Sequence, residues 1–216
     1  MAIEFYCGSG SPYAWRVWLA LEHKALPYTL KMLSFSAGDL KQPQFLAINP
    51  RGKVPVIVDD GFALSESAAI VEYLEDAYPD SGERLFPEDI KLRARARRLI
   101  REVDGYVAPA MERLVDEILF TAPEAWNAEA IAEARDAFAG ELARFETELH
   151  GDFLAGAVGA ADFALYPVIA LALRAERKKP DLNVAGNIGQ KLSTWMRHLE
   201  ALPYFTKTYP PHWKLA

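Results

Sequence analysis

Lys53-Val54-Pro55, with Glu66-Ser67 following eleven residues after the proline, is the stretch whose residue types and spacing can do chemistry. A Val-Pro at the head of an apolar run (Val56, Ile57, Val58) is unusual, because proline cannot donate to a sheet ladder. A cis Pro55 capping a strand beside a cleft accounts for it. The residue before such a proline can offer its backbone N–H and C=O to an extended peptide. Glu66 supplies an acceptor for an ammonium, and Ser67 a donor for a carboxylate. These residues together predict a site for a small zwitterionic peptide.

The elements that must position them are legible in the periodicity. Residues 2–6 alternate and read as a strand, and residues 27–33 as a second. Between them Ser11-Pro12 opens a helix, serine being a favoured N-cap and proline a favoured first helical residue. A short helix near residues 42–48 ends at Asn49-Pro50-Arg51-Gly52. Val54–Val58 and Phe62–Leu64 flank Asp59-Asp60-Gly61, the pattern of a hairpin. Ser65 then caps a helix reaching about Tyr78. The order is βαβαββα. From residue 88 onward only helical patterns follow: about 88–120, 123–150, a third from Gly159 that Pro167 should bend, a fourth over 188–199 and a fifth near Pro203. The fold class is therefore α/β plus all-α, with domain 1–79, linker 80–87 and helical domain 88–216.

The bulk numbers bound the function. A chain of 216 residues with 51% apolar and 25% charged residues is ordinary for a globular protein. A net charge of -6 argues against a nucleic-acid partner. The basic run Lys91, Arg93, Arg95, Arg97, Arg98, Arg101 reads as a solvated helix face or a subunit contact. A single cysteine, Cys7, excludes an internal disulfide and a multi-cysteine zinc site. The four histidines lack ligand spacing and no glycine-rich phosphate loop is present, so neither a metal nor a resident cofactor is expected. With no leader pattern and no long apolar run, the expected compartment is the cytoplasm, with no membrane partner.

The layout resembles the cytosolic glutathione S-transferase superfamily, a thioredoxin-like domain followed by a helical bundle. Four segments carry the resemblance. Ser11-Pro12-Tyr13-Ala14 stands where thioredoxin-like proteins carry Cys-x-x-Cys. Asn49-Pro50-Arg51-Gly52-Lys53-Val54-Pro55-Val56 is similar to the family's NP-x-G-x-VP segment. Leu64-Ser65-Glu66-Ser67-Ala68-Ala69-Ile70 is similar to its L-x-ES-x-AI segment. Phe153-Leu154-Ala155-Gly156 with Ala161-Asp162 is similar to its FLAG…AD stretch, except that Gly159 stands at the cap where the family usually has Ser or Thr. The resemblance spans essentially the whole chain.

It implies a dimeric, cytoplasmic detoxifying transferase with glutathione as co-substrate. Ser11 would stabilise the glutathione thiolate, with Ser9 and Tyr6 as rival hydroxyls. A free thiol has a pKa of about 8.5, and lowering it by ~2 units requires ~2.7 kcal/mol. A hydroxyl donor at the positive end of a helix is suited to that. With Ser11 and Ala14 in place of a redox pair, dithiol exchange is impossible there. By the same resemblance Val54 offers its backbone to the cysteinyl unit, Pro55 sets that geometry, and Glu66 and Ser67 hold the γ-glutamyl end. Lys41 and, more weakly, Lys53 and Arg51 are candidates for the glycyl carboxylate. Tyr106, Met111, Leu114, Tyr166, Tyr209 and Trp213 are candidates for an apolar second-substrate pocket, although residues at such spacing are often core. The expected reaction is conjugation of glutathione to an apolar electrophile, with peroxide reduction as a further activity. Two other readings stay open: a non-catalytic glutathione- or hydrophobe-binding or regulatory member, and a specialised isomerase or dehalogenase. The zeta-type isomerases carry Ser-Ser-Cys where this chain has Ser9-Gly10-Ser11-Pro12.

Overall fold

Strand β1 (Ile3–Gly8) follows from its alternation: Ile3, Phe5 and Cys7 are buried, while Glu4 and Tyr6 face a partly open side. The structure is a computed structural model that describes residues 3–213, so Ala2, expected in this strand, lies outside the described residues. Helix α1 (Pro12–His23) connects β1 to β2 (Tyr28–Leu33), and the two strands pair in parallel, as a βαβ crossover requires. After α2 (Pro43–Ile48), β3 (Val56–Asp59) and β4 (Phe62–Ser65) form the expected hairpin. Asp60 and Gly61 both have positive φ, 47° and 84°, the backbone signature of the tight turn whose twist matches the strands. The sheet order is β2-β1-β3-β4, with β1 and β3 antiparallel. Helix α3 (Ser67–Ala77) completes the βαβαββα order.

One cap differs from expectation. Ser65 is the last residue of β4, paired with Val56, and Glu66 takes the N-cap of α3 instead. Glu66 does so at φ 70° and ψ 106°, a backbone region that side chains other than glycine rarely occupy.

The helical region begins at α4 (Ile90–Glu102), capped by the Asp89 carboxylate, which accepts from Lys91 N and Leu92 N. The single helix expected over 88–120 is interrupted. Val103–Val107 form a π turn, closed by Ala108 N–H donating to Val103 O, before α5 (Ala108–Leu119). Pro109 explains it: proline has no N–H, and its ring clashes with the carbonyl four residues back. The wider turn accommodates both. Helices α6 (Ala128–Glu148), α7 (Ala160–Lys178) and α8 (Gln190–Glu200) follow, α7 running on through Pro167.

The division of the chain differs from the 88–216 boundary expected. One compact unit takes the chain through Phe86 and also the tail from Pro203, including α9 (Phe205–Thr208); the other takes Pro87–Leu202. Side chains of α1 hold the tail. The Trp15 indole N–H donates to Thr208 Oγ1 at 2.9 Å, and Lys207 Nζ pairs with Glu22 Oε1 at 2.6 Å. His23 Nδ1 accepts from the Tyr204 hydroxyl at 2.7 Å, while His23 Nε2 donates to Arg84 O at 3.2 Å. That pair of bonds suits a neutral imidazole, and burial lowers the His23 pKa accordingly. Residues 80–86 join the same unit rather than forming a free linker. Lys24, with no exposed surface, pairs with Glu75 Oε2 at 3.0 Å, and the same oxygen accepts from Leu85 N at 2.9 Å.

Candidate active site

Three pieces of backbone meet at the carboxyl end of β1. Ser11 N–H donates to Gly8 O at 3.0 Å, closing the turn that leads into α1. Val54 lies across from the same glycine: a Cβ added to Gly8 would stand 2.9 Å from Val54 Cγ2 and 2.5 Å from Phe35 Cζ. A side chain at this position would push Phe35 and Val54 aside. The Val54-Pro55 bond is cis, and Pro55 is buried just ahead of β3, outside the ladder in which it could not donate. Asn49 shapes the approach to it, donating from Nδ2 to Lys53 O at 2.7 Å and accepting at Oδ1 from Arg51 N at 3.1 Å. Val54, half-exposed, is thereby held beside the Ser9–Ser11 turn.

Ser11 is the N-cap of α1, in extended backbone conformation with Pro12 at the first helical position. Its Oγ accepts from Ala14 N–H at 3.3 Å, a long bond. Accepting leaves the hydroxyl proton available for donation. Ser11 is half-exposed, so it can face a ligand at the positive end of a twelve-residue helix.

A residue that the sequence reading passed over completes the arrangement. Arg16, one and a half turns along α1 and only 2% exposed, donates from its guanidinium to Ser67 Oγ at 3.2 Å. Ser67 is the first residue of α3 and is also buried. A permanently charged guanidinium beside a helix N-terminus makes a place for a carboxylate. The signal was present in the sequence: an arginine inside the run Trp15-Arg16-Val17-Trp18-Leu19 has no solvent-facing reason to be there. Glu66, exposed and adjacent, presents its carboxylate at the same entrance.

The remaining candidates fall elsewhere. The Tyr6 hydroxyl donates to Glu4 Oε2 at 2.9 Å, and its pKa is raised by burial and by that carboxylate; it is a poor donor for a thiolate. Ser9 Oγ lies 2.7 Å from His212 Nδ1. Cys7 is buried, and burial pushes its thiol up to about 12, so it is no nucleophile. Lys41, on a short 3-10 turn, and Lys53 are exposed. Among the described residues no cluster of three His, Cys, Asp or Glu side chains could hold a metal ion. No helix among them is long and apolar enough to cross a membrane.

The second-substrate expectation needs correction in the helical unit. Met111 and Leu114 have no exposed surface and are core side chains of α5. Tyr166 is buried too, its hydroxyl donating to Glu200 Oε1 at 2.8 Å. Tyr106 is 63% exposed, but the grooves it lines, about 650 and 520 Å³, are rimmed by Arg98, Glu102, Glu141 and Arg144 or by Glu112, Arg113 and Asp116. Phe145 in the first groove and Pro109, Ala110 and Ala137 in the second add apolar wall. Trp213 is buried in the first unit, edge-on to Trp15 at 5.6 Å, and Tyr209 meets Trp15 in the same way. Of the basic run, Arg98 pairs with Glu102 at 2.6 Å and Glu148 at 2.7 Å, and Arg95 donates to the Glu148 carbonyl. Two of the six basic side chains are thus tied to acidic partners on α4 and at Glu148.

Comparison with known proteins agrees with this geometry. Residues 10–77 match the family model described as the glutathione S-transferase N-terminal domain. Glutathione S-transferase A of Pleuronectes platessa is 30% identical over 95% of this chain and 90% of its own length. A crystal structure of a glutathione S-transferase from the Antarctic clam Laternula elliptica is 29% identical and superposes with a TM-score of 0.83, over 100% of this chain and 95% of that one. Poplar glutathione transferase F1 superposes with a TM-score of 0.84 at 26% identity, over 96% of both chains. The βαβαββα order, the Ser11 cap, the Val54-Pro55 corner and these similarities together place the chain in the cytosolic glutathione S-transferase superfamily.

Proposed function

We propose that this glutathione transferase binds glutathione along α1 and couples its sulfur to an apolar electrophile. The observation that carries the reading is the pairing of Ser11 and Arg16 on one helix. Ser11 caps the helix and Arg16, five positions on, reaches Ser67 at the start of α3, so one helix serves both a thiol and a γ-glutamyl carboxylate. Arg16 and Ser67 take the carboxylate, and Glu66 the ammonium. The backbone of Val54 holds the cysteinyl unit, with Lys41 or Lys53 near the glycyl end. Ser11 donates to the sulfur, which stays ionised at neutral pH. The thiolate attacks the electrophilic carbon, a thioether forms, and the leaving group departs with the bonding pair. Catalysis comes from thiolate activation and positioning. Glutathione enters as a co-substrate, with no resident cofactor. Phe35, 53% exposed and packed against Gly8 beside Val54, supports an apolar surface for the second substrate.

Calorimetric titration with glutathione and with S-hexylglutathione tests the reading. Saturable binding that is tighter for the hexyl derivative is expected, together with turnover of an aryl halide. Binding without turnover on an electrophile and hydroperoxide panel favours a non-catalytic binder; no binding of either ligand refutes the site. We also read the protein as a cytoplasmic homodimer, a reading favoured by the exposed apolar side chains Phe62 and Ile90. Sedimentation at the mass of one 24.1 kDa chain would refute that.

A further inference from the structure

Ser9 and His212 stand 203 positions apart, yet their side chains meet at 2.7 Å, and His212 has no part in the chemistry above. The contact belongs to a larger fit. A 3-10 turn over Pro211–Trp213 lies against the Ser9–Gly10 turn. Gly10 has φ 85°, and a Cβ there would meet His212 Cε1 at 2.9 Å and Trp213 Nε1 at 3.1 Å. Trp213 is anchored on Trp15, whose indole N–H is bonded to Thr208 in the same tail. The turn itself is closed by Ser11 N–H on Gly8 O. The turn from which Ser11 emerges is thus closed by its own backbone bond and packed against the tail.

We propose that His212 is a positioning residue for thiol activation, clasping Ser9 so that the turn holds the Ser11 hydroxyl on the sulfur. The proposal rests on the reading of Ser11 as the thiolate donor. A hydroxyl contributes to ionisation only while it points at the developing charge, and small losses of aim are costly in rate. His212 needs to touch neither the sulfur nor the electrophile to act in this way. The same bond assigns Ser9 a role of its own: its side chain joins tail to turn.

The test uses the full-length protein with glutathione bound, following thiolate absorbance against pH, with kcat and the KM for glutathione measured on an aryl halide. His212→Ala is expected to raise the apparent pKa of the bound thiol and to lower kcat about fivefold below that pKa, the effect of losing one hydrogen bond. The KM for glutathione should barely move. His212→Asn, whose side-chain amide reaches the position of Nδ1, should recover most of the loss. Ser9→Ala should reproduce His212→Ala, and the double variant should be no worse than either, as for two residues acting through one bond. A thiol titration unchanged in both single variants overturns the proposal, and so do losses that simply add. Absence of glutathione binding by the unaltered protein would overturn the parent reading and this one together. Normal binding and titration in the unaltered protein with an indifferent His212→Ala removes only the role of His212.

Discussion

The N-termini of α1 and α7 face the same problem, backbone N–H groups without helical partners, and meet it in opposite ways. At α1 the cap is a half-exposed serine whose one bond to Ala14 N is long, so the hydroxyl stays available. At α7 the cap is Gly159, which has no side chain to offer, and Asp162 saturates the site from within. Its Oδ1 accepts from Leu154 N at 2.9 Å and from Trp195 Nε1 at 2.7 Å, and its Oδ2 from Gly159 N at 3.0 Å. Asp162 has no exposed surface. Gly159 itself gives the first turn no side-chain bond, while its N–H is held by Asp162. One entrance is bonded from within, and the other is the one we propose receives a ligand. The entrance of α3 resembles that of α1, with Glu66 in a rare backbone region at a place where a ligand is expected.

If this contrast is right, the two entrances must respond differently to substitution. The largest effect should come from Asp162→Ala, which strands three buried donors and lowers unfolding stability by about 3–5 kcal/mol. Denaturant midpoints measure it, and a loss under about 1 kcal/mol would mean that the α7 entrance is not a keystone.

Asp162 also makes a pH prediction. Burial raises its pKa from 3.8 to about 6, outweighing the hydrogen bonds that favour the anion. A carboxyl that holds its proton more tightly when folded contributes stability that is complete below about pH 4 and is lost as the pH rises through 6. The amount is about 3 kcal/mol. In Asp162→Asn that fall should flatten, although the protein is weaker at every pH because an amide N–H2 then faces a backbone N–H. Equal slopes between pH 4 and 6 in the two proteins would sink this account.

Ser11→Ala should do the reverse of Asp162→Ala. We expect turnover to fall about 100-fold as the bound thiol rises by ~2 pKa units, while stability falls by about 1 kcal/mol or less for a weak cap. Full turnover with an unchanged thiol pKa would remove the distinction between the two entrances. The smallest effect is expected of Glu66→Gly, which relieves a rare backbone conformation and stabilises by about 1 kcal/mol. Calorimetry should at the same time register weaker glutathione binding. A destabilised variant would mean that the φ of Glu66 is not stored strain.

Much of this was legible in the chain. The alternation of β1, the Asp-Gly hairpin, the Ser11-Pro12 helix start and the Val54-Pro55 corner are local patterns, and each folds as its residue types dictate. Pro109 marks the break in the first long helix, because proline lacks the N–H that a regular turn needs. Propensity favours Ser65 as a cap, whereas pairing with Val56 keeps it in the strand. Met111, Leu114 and Tyr166 are buried, and helical spacing marks such a face without saying what covers it.

The sequence by itself determined the elements, their order, the cis-proline corner and the hydroxyl at the entrance of α1. These depend on interactions between residues close in the chain. Tertiary structure alone decided the bond between Arg16 and Ser67, the rare backbone of Glu66, the burial of Asp162 among donors from three segments, and the return of the tail to α1. Arg16 and Ser67 are 51 positions apart, and Trp15 and Thr208 are 193 apart. No periodicity or propensity encodes such contacts, because their free energies exist only once the chain has closed on itself.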